Sequence, residues 1–150
     1  MPECPLPQGG FYISKIHQIS ERIFAKKLKQ YNIEEINPAQ GRILFFLWQH
    51  DGISIQEVSR ITSLEKSTLT SMLDRLEAAG HIRREPSRED RRKILIRVLN
   101  KDSKIKEVYE KVLHEIADLF YQGFKKEETA DFENYLKRIF SNLSEFEKEN

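Results

Sequence analysis

Four hydroxyl side chains, Ser67, Thr68, Thr70 and Ser71, crowd a stretch whose apolar residues recur at helical spacing. Leu69, Met72, Leu73 and Leu76 fall at i, i+3, i+4 and i+7 and mark the buried face of a helix predicted from about Glu65 to Ala79. Stepping by about 100° per residue, the opposite face carries Ser67, Thr70, Ser71, Asp74 and Arg75, with Lys66 at its N-terminal end. An ordinary solvated helix carries a Glu/Lys mixture there. Short hydroxyls let a helix lie close to base edges, where they donate or accept hydrogen bonds, or meet a thymine methyl or a phosphate. Lys66 and Arg75 have the reach for phosphate or a guanine edge. Taken alone, the same residues also describe a merely polar surface.

A second cluster follows at once. Arg88, Arg91, Arg92 and Lys93 crowd together with Glu89 and Asp90 just after Ser87. Like charges this close repel, so a purely structural loop gains little from them. The negative potential of a narrow minor groove stabilises an inserted arginine. Asp90 is placed to hold a neighbouring guanidinium through a two-pronged hydrogen bond.

The elements that present these clusters are read from period and punctuation. The period changes to two after Gly80: Ile82 to Pro86 is a short strand, Ser87 to Arg92 a turn, and Ile94, Ile96 and Val98 alternate with Lys93, Leu95 and Arg97 in the returning strand. Before the hydroxyl helix, Ser54 and Glu57 form a capping box opening a short helix whose inner face is Ile55, Val58 and Ile61, with a turn at Thr62–Leu64. Asn37-Pro38 starts a helix running to about His50, where Gly52 is placed to end it, and its apolar centre (Ile43 to Trp48) reads as a buried hub. Residues 1–10 read as an irregular lead-in, followed by a helix from Phe11 to about Tyr31. From Asn100 the chain is helical again, with one stripe of Ile105, Val108, Tyr109, Val112, Leu113, Ile116, Leu119 and Phe120. After a break near Gly123 a second stripe follows: Phe132, Tyr135, Leu136, Ile139, Phe140 and Leu143. The expected fold is mainly α with a small β-hairpin wing, a winged helix-turn-helix over residues 37–99. Helices at 11–31 and 100–149 flank it in a single domain of residues 1–150.

Composition narrows the function. Net charge is only +1, yet residues 54–99 carry 10 basic against 7 acidic side chains and residues 100–150 carry 9 against 12. The excess peaks between Arg83 and Arg97, with 7 basic against 3 acidic residues, which suits contact with a polyanion through one face. No apolar run approaches a membrane span and no leader is recognisable, so a cytoplasmic protein is expected. The four histidines (His17, His50, His81, His114) show no paired ligand spacing, so no metal and no cofactor are expected. No nucleophile motif, phosphate loop or acid pair points to an enzyme. The single cysteine, Cys4, lies among prolines without a basic neighbour and reads as incidental.

The run Ser67-Thr-Leu-Thr-Ser-Met-Leu-Asp-Arg-Leu-Glu-Ala-Ala-Gly80, then Ile82, then Asp90-Arg-Arg92 with a strand ending at Leu99, resembles the multiple-antibiotic-resistance regulator (MarR) family of bacterial and archaeal transcription factors. The likeness extends to the long first helix, the Asn37-Pro38 helix and the two C-terminal helices. It departs where the family has Leu-Thr and this chain has Leu99-Asn100, a substitution that keeps a helix-capping residue. The resemblance implies a homodimer with intertwined terminal helices. It implies that the helix from Glu65 reads the major groove and that Arg92 enters the minor groove, oriented by Asp90. Ser87, Arg88, Arg91 and Lys93 become backbone contacts or supports. It also implies release by a small aromatic or lipophilic effector. Phe11, Tyr12, Phe45, Trp48 and His50 are candidates for a crevice, though most of them read as core. Independently, the apolar stripes at both ends exceed what one small lobe needs, which points to burial against a second copy. The expected function is a sequence-specific DNA-binding regulator, a repressor on a palindromic operator. The alternative is a winged-helix protein-interaction module.

Overall fold

The computed structural model describes residues 5–99 and 103–150. Cys4 and Asn100, for which the sequence gives an incidental thiol and a helix cap, lie outside them. Among the described residues are helices α1 (Gly9–Gln30), α2 (Pro38–Gln49), α3 (Ile55–Thr62), α4 (Lys66–Ala78), α5 (Ser103–Phe120) and α6 (Lys126–Glu149). Three strands are present: β1 (Ile53–Ser54), β2 (Ile82–Pro86) and β3 (Ile94–Val98). The chain divides into two compact units, residues 1–113 and 114–150.

Local chemistry sets most of the boundaries. Asn37 Oδ1 accepts from the Gln40 N–H at 2.8 Å and Gln40 returns a bond to the Asn37 N–H at 2.9 Å, so α2 begins with a full capping box and Pro38 in its first turn. The expected box on α3 is only half made. Ser54 Oγ accepts from Glu57 N–H at 3.2 Å, but the Glu57 carboxylate turns away to Arg60, whose guanidinium outbids a backbone amide for it. Helix α1 opens at Gly9, two residues before the expected start, and ends with Asn32 left-handed (φ 62). There the Ile33 N–H reaches Leu28 O, and both side chains are buried at the closure. Helix α4 ends in the same way, with Gly80 left-handed and the His81 N–H reaching Leu76 O.

The sheet is antiparallel in the order β1-β3-β2. The hairpin is as expected, with Ile82 opposite Val98 and Pro86 opposite Ile94. The third strand was not expected: Ile53 and Ser54 pair with Ile96 and Leu95. Gly52 therefore does more than stop a helix. Its φ of +77 turns the chain into β1, its N–H donates to Ile96 O at 2.9 Å, and the Arg97 guanidinium fills the space a side chain would occupy.

The core of the first unit is Leu44, Leu47, Val58, Leu69, Leu73, Leu76, Ile82 and Ile96 from the lobe, joined by Phe24 and Leu28 of α1 and by Ile105, Tyr109 and Val112 of α5. Tyr109 corrects the reading of α5 as surplus apolar surface. Its ring packs against Phe24 (4.9 Å between centroids) and Phe45 (5.5 Å), with Trp48 at 6.5 Å. It sits over Gly41, where an added Cβ would come within 2.5 and 2.9 Å of the ring. Burial pushes the Tyr109 phenol up to about 12. Phe45 and Trp48 are thus half-buried against the Tyr109 ring, whereas Phe11 and Tyr12 are exposed and His50 stacks on Phe46. Ile61, expected on the inner face of α3, is exposed, and Met72 is half-buried.

In the second unit, Phe120, Tyr121, Phe124 and Phe132 gather where α5 turns into α6, with Gly123 left-handed, and the Tyr121 hydroxyl donates to Glu133 at 2.9 Å. No residue of α6 is buried; Tyr135, Ile139, Phe140, Leu143 and Phe146 all stand open. Among the described residues no helix is long and apolar enough to cross a membrane, and no cluster of metal-ligating side chains is present.

Candidate nucleic-acid interface

Leu69, Leu73 and Leu76 anchor α4 on the core, so its opposite face is turned outward. Lys66, Ser67, Thr68, Ser71, Asp74 and Arg75 are exposed and Thr70 is half-buried. The turn before α4 is held by hydroxyls. Ser59 Oγ donates to Leu64 O at 2.8 Å, Thr62 Oγ1 donates to Val58 O at 2.7 Å, and Ser63 takes a left-handed conformation (φ 58). Glu65 caps α4 through its backbone position alone and gives no side-chain bond to the first turn. The N–H groups at that end are left open beside Lys66, a setting that favours an anion.

The tip of the hairpin is organised by its own short polar groups. Ser87 Oγ accepts from the N–H of Glu89 (3.2 Å) and of Asp90 (3.3 Å). The Ser87 N–H donates to Lys93 O, and the Lys93 N–H to Asp90 O, both at 2.9 Å. Asp90 Oδ1 accepts from the Arg92 backbone N–H at 3.1 Å. The sequence places Asp90 to hold a neighbouring guanidinium. In the structure it shapes the loop through the backbone instead, because an Asp two residues before an amide closes a tight local ring more readily than it reaches a long side chain. Ser87 likewise bonds inward, into the loop. Arg88, Arg91, Arg92 and Lys93 are left exposed.

The arginines of the hairpin therefore divide into two sets that the sequence did not separate. In the strands, Arg83 lies opposite Arg97. Like charges at that spacing repel, and Glu85 relieves them by taking Arg97 Nε at 2.8 Å and Arg83 Nη2 at 3.1 Å. Arg84 reaches α4, with Nη2 at 2.6 Å from Asp74 and 2.9 Å from Glu77. Hydrogen bonds from these arginines hold the Glu85 and Glu77 carboxyls below the usual carboxylate range. In contrast, Lys66, Arg75, Arg88, Arg91, Arg92 and Lys93 have no carboxylate partner among the described residues. Lys66 and Arg92 also border a groove of about 360 Å³ floored by Ile55 and Ile94.

Residues 36–94, spanning α2 to the start of β3, match the MarR family. Over this stretch the chain is similar to the MarR family. Over 72 residues, 48% of the chain and 37% of the relative, it is 38% identical to the HTH-type transcriptional regulator TtmR of Methylorubrum extorquens (strain PA1). Over 83 residues, 53% of the chain and 56% of the relative, it is 34% identical to the organic hydroperoxide resistance transcriptional regulator of Bacillus subtilis (strain 168). The chain thus spans between a third and somewhat over half the length of these two relatives. Its fold matches a mutant MarR from E. coli, solved in complex with operator DNA, at a TM-score of 0.77 and 24% identity over 89% of this chain and 94% of that one. All twelve side chains proposed from sequence lie within the matched stretch, on the outward side of α4 or at the wing tip. Sequence reasoning missed the Arg84 link between α4 and β2, for which the only available signal was a basic residue at a strand position facing the core.

Proposed function

We propose that this chain is a sequence-specific DNA-binding transcriptional regulator, a cytoplasmic repressor without catalytic activity. It binds a palindromic operator as a homodimer and is released by a small aromatic or lipophilic effector. One observation carries the DNA reading. The cations of the α4 face and the wing tip are exposed and unpaired among the described residues, while the strand arginines beside them are matched to carboxylates. A protein that gained only stability from these residues would pair them too. Six unpaired cations flanking a hydroxyl-bearing helix suit a phosphate-lined groove. In this reading Ser67, Thr68, Thr70 and Ser71 meet base edges, Lys66 and Arg75 meet phosphate or guanine, and Arg92 enters the minor groove. Arg88, Arg91 and Lys93 hold the backbone, and Ser87 and Asp90 shape the loop. The E. coli MarR of like fold, solved with operator DNA, supports the same reading.

The homodimer rests on apolar surface. Phe11, Tyr12, Ile13, Ile16 and Ile19 of α1 are exposed, as are Tyr135, Ile139, Phe140, Leu143 and Phe146 of α6. Such faces seek cover, and a two-fold pair provides it for both copies at once. Selection of bound duplexes from a random pool tests the reading. The expected outcome is an inverted repeat with half-sites about one helical turn apart. Recovery of no sequence above background would refute it.

A further inference from the structure

We infer that Arg84 is a positioning residue that locks the recognition helix to the wing stem, so that the two surfaces meet a duplex as one rigid unit. The inference rests on the DNA-binding reading above for its consequence, but its mechanical content stands on the geometry of one lobe.

Arg84 stands at a register position that the strand pattern assigns to an apolar side chain. Its partner across the ladder is Ile96, fully buried, and two residues before it Ile82 is buried as well. An arginine facing inward there loses hydration, and only a complete set of partners offsets that loss. Arg84 has such a set. Its guanidinium bonds Asp74 Oδ1 at 2.6 Å and Glu77 Oε1 at 2.9 Å, its Nε reaches the same Glu77 oxygen at 3.3 Å, and its backbone N–H donates to Glu77 Oε2 at 2.8 Å. The Glu77 carboxylate therefore grips both the side chain and the main chain of β2.

The two acidic partners lie one turn apart on α4, and Arg84 lies two residues before the end of the strand that carries the tip. A planar guanidinium whose Nε and Nη2 share one Glu77 oxygen while Nη2 also meets Asp74 fixes distance and angle together, which an apolar contact does not. The link also places a cation beside Asp74, the carboxylate that shares the outward face with Ser67, Thr70 and Ser71. An unneutralised acid there would repel phosphate. Arg84 itself is mostly covered, with 23% of its side chain exposed, so it is a support for the interface rather than a contact.

The test uses the full chain and two readouts. The first is fluorescence anisotropy against the selected duplex and a random duplex over a salt series. For Arg84→Met, affinity for the selected duplex is expected to fall tenfold or more, affinity for the random duplex to stay within about threefold, and the salt slope to stay unchanged. Arg84→Lys, which keeps the charge and loses the fork, is expected to follow Arg84→Met. Equal losses on both duplexes with a shallower salt slope would make Arg84 a phosphate contact and overturn the inference, as would full retention of selective binding. The second readout is the spin-label distance between Ala78→Cys and Glu89→Cys in a Cys4→Ser background without DNA. A narrow distribution that broadens on Arg84→Met supports the lock, and an unchanged distribution refutes it. If the parent chain bound no duplex, the DNA reading would fail while this distance still decided the mechanical claim. Should Arg84→Met fail to fold, Asp74→Asn with Glu77→Gln removes the other end of the same link and is held to the same outcomes.

Discussion

The stem and the tip of one hairpin use the same residue type for opposite ends. In the stem, Arg83, Arg84 and Arg97 are matched by Glu85, Glu77 and Asp74 within 2.6–3.1 Å. At the tip, a few residues away, Arg88, Arg91 and Arg92 have no acid partner among the described residues, although Glu89 and Asp90 stand between them in sequence. The tip spends its Asp90 and Ser87 on main-chain amides, which fixes the loop and leaves the guanidinium groups unengaged. Charge in the stem is thus paired within the structure, and charge at the tip is left unpaired among the described residues. A count of basic residues treats the two as one patch; partner geometry separates them.

Substitutions in the two places should therefore move different observables. The largest change expected is at the root of the stem. Gly52→Val forces a β-branched residue to φ +77 against the Arg97 guanidinium. We expect it to lower unfolding free energy by about 1–3 kcal/mol in urea titration. At the tip, Arg92→Ala is expected to weaken operator binding by about 1–3 kcal/mol while leaving stability within about 0.5 kcal/mol, by gel-shift titration and urea unfolding respectively. A matching loss of stability would erase the distinction. Back in the stem, Glu77→Gln leaves the Arg84 fork half-satisfied. A loss of about 1 kcal/mol is expected in urea unfolding, since the carboxylate it replaces is partly hydrated.

The smallest effect is in pH. The Glu77 and Glu85 carboxyls are held below the ordinary value of 4.5 by their arginine partners. A depressed folded value means that their contribution is fully present above 4.5 and is lost as pH falls through the lower, folded value. Melting temperature should therefore hold steady from neutrality toward pH 5 and drop below it. Glu77→Gln and Glu85→Gln should flatten that drop, and tip variants should leave it in place.

Much of the lobe followed from spacing and caps. Asn37-Pro38, the leucines of α4 and the alternation from Ile82 to Val98 each act through neighbours a few residues away, so a linear reading finds them. The residues it misplaced act across elements. Ile53 and Ser54 are too short a run to show a period, yet pair with β3. Glu57 has two chemically reasonable partners, a backbone amide and Arg60, and only geometry shows which one it takes. Tyr109 sits at a helical position compatible with either an inner or an outer stripe, and Gly41 on another helix makes room for it. Arg84 and Glu77 are seven residues apart across a turn, a separation that carries no pairing rule. For the twelve candidate residues, the sequence indicated a shared outward side. That the cations there are unpaired is a tertiary fact, set by which carboxylates the stem takes for itself.

Salt dependence offers the sharpest separation of the two sets. The logarithm of affinity for the selected duplex, plotted against the logarithm of salt concentration, is to be compared for the parent chain, for Arg91→Ala and Arg92→Ala at the tip, and for Arg83→Gln in the stem. We expect each tip variant to reduce the slope by about 1 for every copy of the contact removed, and Arg83→Gln to leave the slope at the parent value. Equal slopes for tip and stem variants would contradict the division of the hairpin into a paired and an unpaired charge set.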